Sequence, residues 1–160
     1  MPSPSSDSPP RASASRIRHI SIDCAEPYAL AQFWATVTGW SLGPDDKPED
    51  DEVAVVGPDP DTVPILLFIR VPESKTVKNR VHLDLGPAAT PRDEEVERLI
   101  AAGATRVADH IWPDGRGWVV LADPEGNEFC IESSDAEIAA RRAQAAATQS
   151  AASHAEQPDG

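Results

Sequence analysis

Apolar and polar positions along this chain settle into a strand rhythm, then a helix rhythm, then strands again. From Arg16 to Cys24 the apolar residues Ile17, Ile20 and Ile22 are set among polar ones, the pattern of a half-buried strand. Pro27, whose fixed φ suits a first helical turn, predicts a helix start. Leu30, Phe33, Trp34 and Val37 then fall at i, i+3, i+4 and i+7, one apolar stripe to lay on a sheet, and Gly39 predicts the stop. Strands follow over Val53–Gly57 and Ile65–Ile69, joined through a turn at Asp59-Pro60.

The same succession then begins again. Arg18-His19-Ile20-Ser21-Ile22-Asp23 returns as Arg80-Val81-His82-Leu83-Asp84, with His82 63 residues after His19. Asn79–Leu85 reads as the strand. Thr90-Pro91-Arg92-Asp93 reads as a capping-box-like helix start, with the Thr90 hydroxyl as acceptor. Val96, Leu99 and Ile100 build the apolar face of that helix and Gly103 ends it. A strand over Ala104–Asp109, a turn-rich loop over 112–117 and strands over Trp118–Ala122 and Glu128–Glu132 complete the copy. The last two strands turn at Asp123-Pro124-Glu125-Gly126-Asn127, where Gly126 can take a positive φ. A long period seen twice means a duplicated β-α-β-β-β unit, since a solenoid needs at least three copies. The fold class is α+β, with the two histidines on equivalent strands and able to face one shared cavity.

The ends stand apart from this unit. Residues 1–15 are mostly Ser, Pro and Ala without periodicity and read as disordered. The globular domain is expected over 16–134, with module one at 16–71 and module two at 78–134. Beyond it, 135–160 reads as an Ala-rich helix to about Ala147 and a frayed tail containing His154.

Composition narrows the partners. A net charge of −13 argues against nucleic acid, whose phosphates need clustered Lys and Arg, and disfavours anionic membranes. The N-terminus lacks the apolar core of a signal peptide, and no stretch is apolar for long enough to span a bilayer. Cys24 and Cys130 both fall in expected strands and suit buried reduced thiols, so the expected location is cytoplasmic. The acidic run from Asp45 to Glu52 lacks the spacing and glycine of a calcium loop and reads as a solvated loop.

The chain resembles the vicinal oxygen chelate superfamily, and within it the bacterial glyoxalase-like and bleomycin-resistance proteins. The residues that carry the likeness are His19 opening the first strand, Thr38-Gly39-Trp40 closing the helix, Asn79 to Asp84, and Leu121-Ala122-Asp123-Pro124-Glu125-Gly126-Asn127-Glu128-Phe129. The resemblance implies two βαβββ modules forming a cupped mixed β-sheet, with helices packed outside. It also implies a site for a divalent metal (Zn, Ni, Mn or Fe) held by one ligand from each of four equivalent strands, usually His on first strands and Glu on last ones. Pairing or module swapping between copies, a homodimer among the outcomes, belongs to the same likeness.

Carried over residue by residue, the resemblance makes His19 and His82 the metal ligands, or the catalytic pair. The last-strand slots hold Cys130 in module two and fall near Phe68 or Ile69 in module one. Alternation puts Ser21 and Asp23 beside His19, Asp84 beside His82, and Glu128 and Glu132 beside Cys130. A carboxylate two residues along lies about 7 Å away, too far to fill a vacant slot. A Cys130 thiolate with the two imidazoles is the three-ligand alternative. Equally, the histidines can simply bond Asp23 and Asp84 within the fold, and Cys130 can be a small buried hydrophobe. Trp112 and Trp118 flank the loop over the expected cavity mouth and are candidates for stacking a planar ligand.

Three function classes follow. The first is a small-molecule enzyme (a lyase, isomerase or dioxygenase) in which His19 and His82 move a proton or polarise an oxygen. The second is a binding protein that holds a small organic molecule in the cup, with Asp23, Asp84, Trp112, Trp118, Cys130 and Glu132 as ligand contacts and the metal site degenerate. The third is a non-catalytic domain that docks through its C-terminal helix.

Overall fold

A computed structural model describes residues 15–155. The segment expected to be disordered, Ser15 aside, lies outside the described residues, as do 156–160 and the side chain of His154. Module one runs β1 (His19–Cys24), α1 (Pro27–Thr38), β2 (Ser41–Leu42), β3 (Glu52–Val56) and β4 (Ile65–Arg70). Module two runs β5 (Asp84–Leu85), α2 (Arg92–Ala101), β6 (Thr105–Ile111), β7 (Gly117–Ala122) and β8 (Glu128–Glu132), followed by α3 (Asp135–Ala155). The two modules form two four-stranded mixed sheets of identical topology, β1-β4-β3-β2 and β5-β8-β7-β6. In each, the first strand lies parallel to the last and every other neighbour is antiparallel. Among the described residues no helix is long and apolar enough to cross a membrane.

One core serves both modules. Leu30, Phe33, Trp34 and Val37, the stripe read from the sequence, are buried on α1 against Val53, Val55, Leu66 and Phe68 of β3 and β4. The same helix reaches into the second module, because the Trp34 and Phe33 rings meet Phe129 of β8 at centroid distances of 5.1 and 6.2 Å. Val96 and Leu99 of α2 close the cluster with Val119, Leu121 and Ile131.

Polar contacts fix the modules' relative position. In the β7–β8 turn, Asp123 is buried and accepts the Trp34 Nε1–H (3.1 Å) as well as the amides of Glu125 and Asn127. The Glu125 carboxylate accepts the amides of Ala25 and Glu26 at 2.7 and 2.8 Å, so a side chain of module two caps the open N-terminus of α1. Gly126 has the positive φ (88°) that the turn requires. Arg98 of α2 adds a bond to the Thr36 carbonyl near the end of α1.

Three sequence expectations are corrected. The strand expected over Asn79–Leu85 shrinks to two residues: the chain bends away at Val81, which is 78 % exposed, and Glu128 rather than a strand partner takes the Asn79 amide. The capping box is not at Thr90, since Pro91 occupies the cap position of α2 and no side chain of its own caps that helix. It sits instead at Ser134 and Glu137: the Ser134 hydroxyl accepts the Glu137 amide, and the Glu137 carboxylate accepts the Ser134 amide. The same carboxylate accepts the Arg92 amide at 3.0 Å, so one residue caps α2 and α3 together. Finally, α3 passes the expected end near Ala147 and continues to Ala155, as no proline or glycine interrupts it before Pro158.

Two stability outcomes follow. Glu125→Ala uncaps α1 and should cost about 1 kcal/mol, read as a lower midpoint in urea with the slope unchanged. Burial alone would push the Glu137 carboxyl up, but the bonds from Ser134 and Arg92 hold it below its ordinary 4.5. A lowered folded-state value means that this stabilisation is complete above pH 4.5 and fades as pH falls below it. Glu137→Gln should therefore flatten the acid limb of the stability profile.

Candidate functional site

The site grows from the face of sheet two that looks away from the helices. Phe129 and Ile131 on β8, and Val119 and Leu121 on β7, point into the core. Alternation therefore turns Glu128, Cys130 and Glu132, with Trp118, Val120 and Ala122, to the opposite face. The ladder arranges these in rows: Asp84, Cys130, Val120 and Ala108 in one, and Glu132, Trp118 and His110 in the next. Successive rows are about 7 Å apart along the strands.

In the first row three donors converge. His82 Nδ1 lies 2.9 Å from Asp84 Oδ1, and Cys130 Sγ lies 3.7 Å from the same nitrogen. His82 and Asp84 are exposed at the edge, while Cys130 is 4 % exposed beneath them. Burial first, then the hydrogen bond and charge of Asp84, push the Cys130 thiol up to about 12. Cys24 is likewise pushed up to about 11, chiefly by burial. Both are free, buried thiols, as the sequence indicated. Asp84 accepting from Nδ1–H leaves Nε2 of His82 as the basic nitrogen, a pair competent to take a proton.

The second row is aromatic. Trp118 and Trp112 meet edge to face at 5.5 Å, and His110 packs on Trp118 at 5.1 Å. Trp112 is 50 % exposed. The loop beneath is held from behind: buried Arg92 donates to the carbonyls of Gly115 and Gly117. Gly117 has a φ of 125°, and a Cβ there would run into the His110 carbonyl, so the hairpin closes only on glycine. His110 had no place in the sequence reading, although its strand position next to Trp112 was the available signal.

A cavity of about 250 Å³ opens between the modules. It is lined by Ser21 and Asp23 of β1, His82 and its neighbours, Trp34, Asn127 and Glu128. Neither His19 nor Asp84, Cys130, Glu132, Trp112 and Trp118 line it, so the expected tryptophans at its mouth lie apart from it, and His19 also stays outside the cluster whose donor atoms lie within 4.8 Å of one another. It stands exposed at the start of β1, paired with Ile65. The expected meeting of two histidines thus gives way to a His82–Asp84–Cys130 group within module two. The segment carrying His82 is secured by Glu128, which accepts the Asn79 amide and pairs with Lys75 Nζ at 3.0 Å.

Register also corrects the module-one slot. Asp84 pairs with Cys130, and Ser21, 63 residues before Asp84, pairs with Leu67, 63 residues before Cys130. The slot is therefore Leu67, not Phe68 or Ile69; Phe68 points into the core. A four-strand chelate of histidines and carboxylates does not fit this chain, with an apolar side chain in one slot, a thiol in another and His19 apart.

Comparisons with known proteins agree with this architecture. Residues 19–132 match the family described as glyoxalase-like domain. A glyoxalase/bleomycin resistance protein/dioxygenase family enzyme from Burkholderia phytofirmans PsJN superposes with a TM-score of 0.56 at 21 % identity, covering 73 % of this chain and 97 % of that one. A glyoxalase-related enzyme from Fulvimarina pelagi gives 0.54 at 20 %, covering 74 % and 88 %. The fosfomycin resistance protein FosX from Listeria monocytogenes, complexed with Mn(II) and 1S,2S-dihydroxypropylphosphonic acid, gives 0.59 at 12 %, covering 76 % and 92 %. At these identities the likeness is one of fold. No curated protein matches the chain.

Glu128→Ala should release the segment that carries His82. Hydrogen exchange at the Asn79 amide should speed up by about tenfold, for a lost charge-assisted bond of about 1.5 kcal/mol, while core amides on β7 keep their protection.

Proposed function

The chain belongs to the glyoxalase-like domain family, and on that premise we propose that it binds a small organic molecule in the cup between its sheets, the family's four-strand chelate being degenerate. The observation that carries this reading is the shared face of module two, where the aromatic row of Trp112, Trp118 and His110 adjoins Asp84, Cys130 and Glu132. Flat apolar surface beside carboxylate charge suits a planar cation. Stacking holds the ring and the charges hold its sign. The net charge of −13 draws cations toward the same face and repels nucleic acid and anionic membranes. Asp23, which lines the cavity between the modules together with His82, is a further contact on this reading. Two buried free thiols are in keeping with a cytoplasmic setting.

A second reading rests on the His82–Asp84 pair, whose geometry suits a general base acting on a ligand in the same cup. It needs His82 alone, so His19→Ala should leave any turnover intact and His82→Ala should abolish it.

Titration with a library of cationic aromatic compounds should quench tryptophan fluorescence saturably. Trp118→Phe should weaken binding about fivefold, the equivalent of roughly 1 kcal/mol of cation–π attraction. A well-folded protein that no cationic aromatic quenches would overturn the binding reading.

A further inference from the structure

We propose that His82, Asp84 and Cys130 form a zinc site carried by the second module alone. The donors are a nitrogen, an oxygen and a sulfur, all within 4.8 Å of one another. They arrive on two stretches of chain: His82 and Asp84 where the chain enters β5, and Cys130 on β8. Their spacing is fixed by the fold, because Asp84 and Cys130 are direct partners on parallel strands and the Cys130 amide is bonded to the Leu83 carbonyl at 2.9 Å.

The geometry suits a small tetrahedral ion. Bonds of about 2.0 Å to nitrogen and oxygen and about 2.3 Å to sulfur place nitrogen and sulfur about 3.5 Å apart, and nitrogen and oxygen about 3.3 Å apart. The structure has 3.7 Å for Cys130 Sγ to His82 Nδ1 and 2.9 Å for Nδ1 to Asp84 Oδ1. These two separations need to change by a few tenths of an ångström, and the third, Asp84 carboxylate to Cys130 Sγ, starts within 4.8 Å and must close to about 3.5 Å, by movement of the two exposed side chains over the buried thiol. Binding displaces the thiol proton to solvent, and the one proton of the neutral His82 ring moves from Nδ1 to Nε2 so that Nδ1 can take the ion.

The donor set also selects the metal. Thiolate favours zinc, whereas manganese and magnesium favour carboxylate and water. Exchanging a carboxylate slot for Cys130, and putting Leu67 in the equivalent slot of module one, turns a two-module hard-ion chelate into a one-module site for a softer ion. Three protein donors leave a fourth position open on the exposed side. This inference does not rest on the organic-ligand reading, and its failure would leave that reading intact.

The test uses the full-length chain stripped of metal by chelator and titrated with zinc by calorimetry and with cobalt(II) by absorbance. Expected are one ion per chain and a sulfur-to-cobalt charge-transfer band in the near ultraviolet. Cys130→Ser should abolish the band, whereas Cys24→Ser should leave it. His82→Ala and Asp84→Asn should each weaken zinc by at least about tenfold, and His19→Ala should not weaken it. The His82 and Asp84 variants alter exposed side chains, so unchanged melting of their metal-free forms separates ligand loss from misfolding. Absence of stoichiometric zinc in the wild type, a band that survives Cys130→Ser, or loss of binding in His19→Ala would each overturn the proposal.

Discussion

The two modules are held in register by one hydrogen-bonded turn. Asp123 sits at its centre, buried, with its carboxylate divided between amides of its own turn and the indole of Trp34 from the other module. Such a group is costly to bury unless every lone pair is used, so the turn and the helix must meet in one arrangement. Glu125 adds direction by capping α1 from outside. Trp34 and Asn127, both bonded to Asp123, are also walls of the cavity between the modules. The shape of that cavity is therefore set by a contact whose first purpose is cohesion.

Duplication gave two copies of one topology, but the copies have diverged in the strand that faces the cavity. In module one β1 pairs with β4 over six residues. In module two the corresponding ladder is two residues long, and the chain before it is held by Glu128 and Lys75. The shorter strand lets His82 reach across to Asp84 and Cys130, while His19 stays on a regular strand opposite apolar β4. Symmetry of the backbone does not carry over into symmetry of the chemistry.

Much of the fold was legible in the sequence because burial is periodic. The stripe Leu30, Phe33, Trp34 and Val37, the stop at Gly39 and the turn around Gly126 each follow from a local rule, and each occupies its expected place. What escaped were effects of tertiary partners. Nothing near Asn79 announces that a side chain 49 residues away will take its amide. Nothing near Thr90 announces that Glu137 will cap the helix there. The candidate site was half legible: equivalence of His19 and His82 followed from the repeat, but the residues that gather around His82 depended on where β5 begins.

The balance of charge on the second module's face limits what the cup can hold. Glu128 is neutralised by Lys75 and Asp84 is engaged by His82, which leaves Glu132 as the open carboxylate beside Trp118. A monovalent cation about 7 Å from such a carboxylate gains about 2 kcal/mol near a protein surface before salt screening, the same order as one desolvated stacking contact with Trp118. Neither term alone selects a ligand, since salt screens the first and many apolar rings satisfy the second. Selectivity on the proposed reading must come from meeting both at once. A zinc ion in the first row would change the sum, cancelling the charge of Asp84 and the Cys130 thiolate and presenting a Lewis acid in their place. Glu132 would remain the carboxylate beside Trp118, so an occupied cluster would leave the attraction for a cation in the second row and add a place for an oxygen donor in the first.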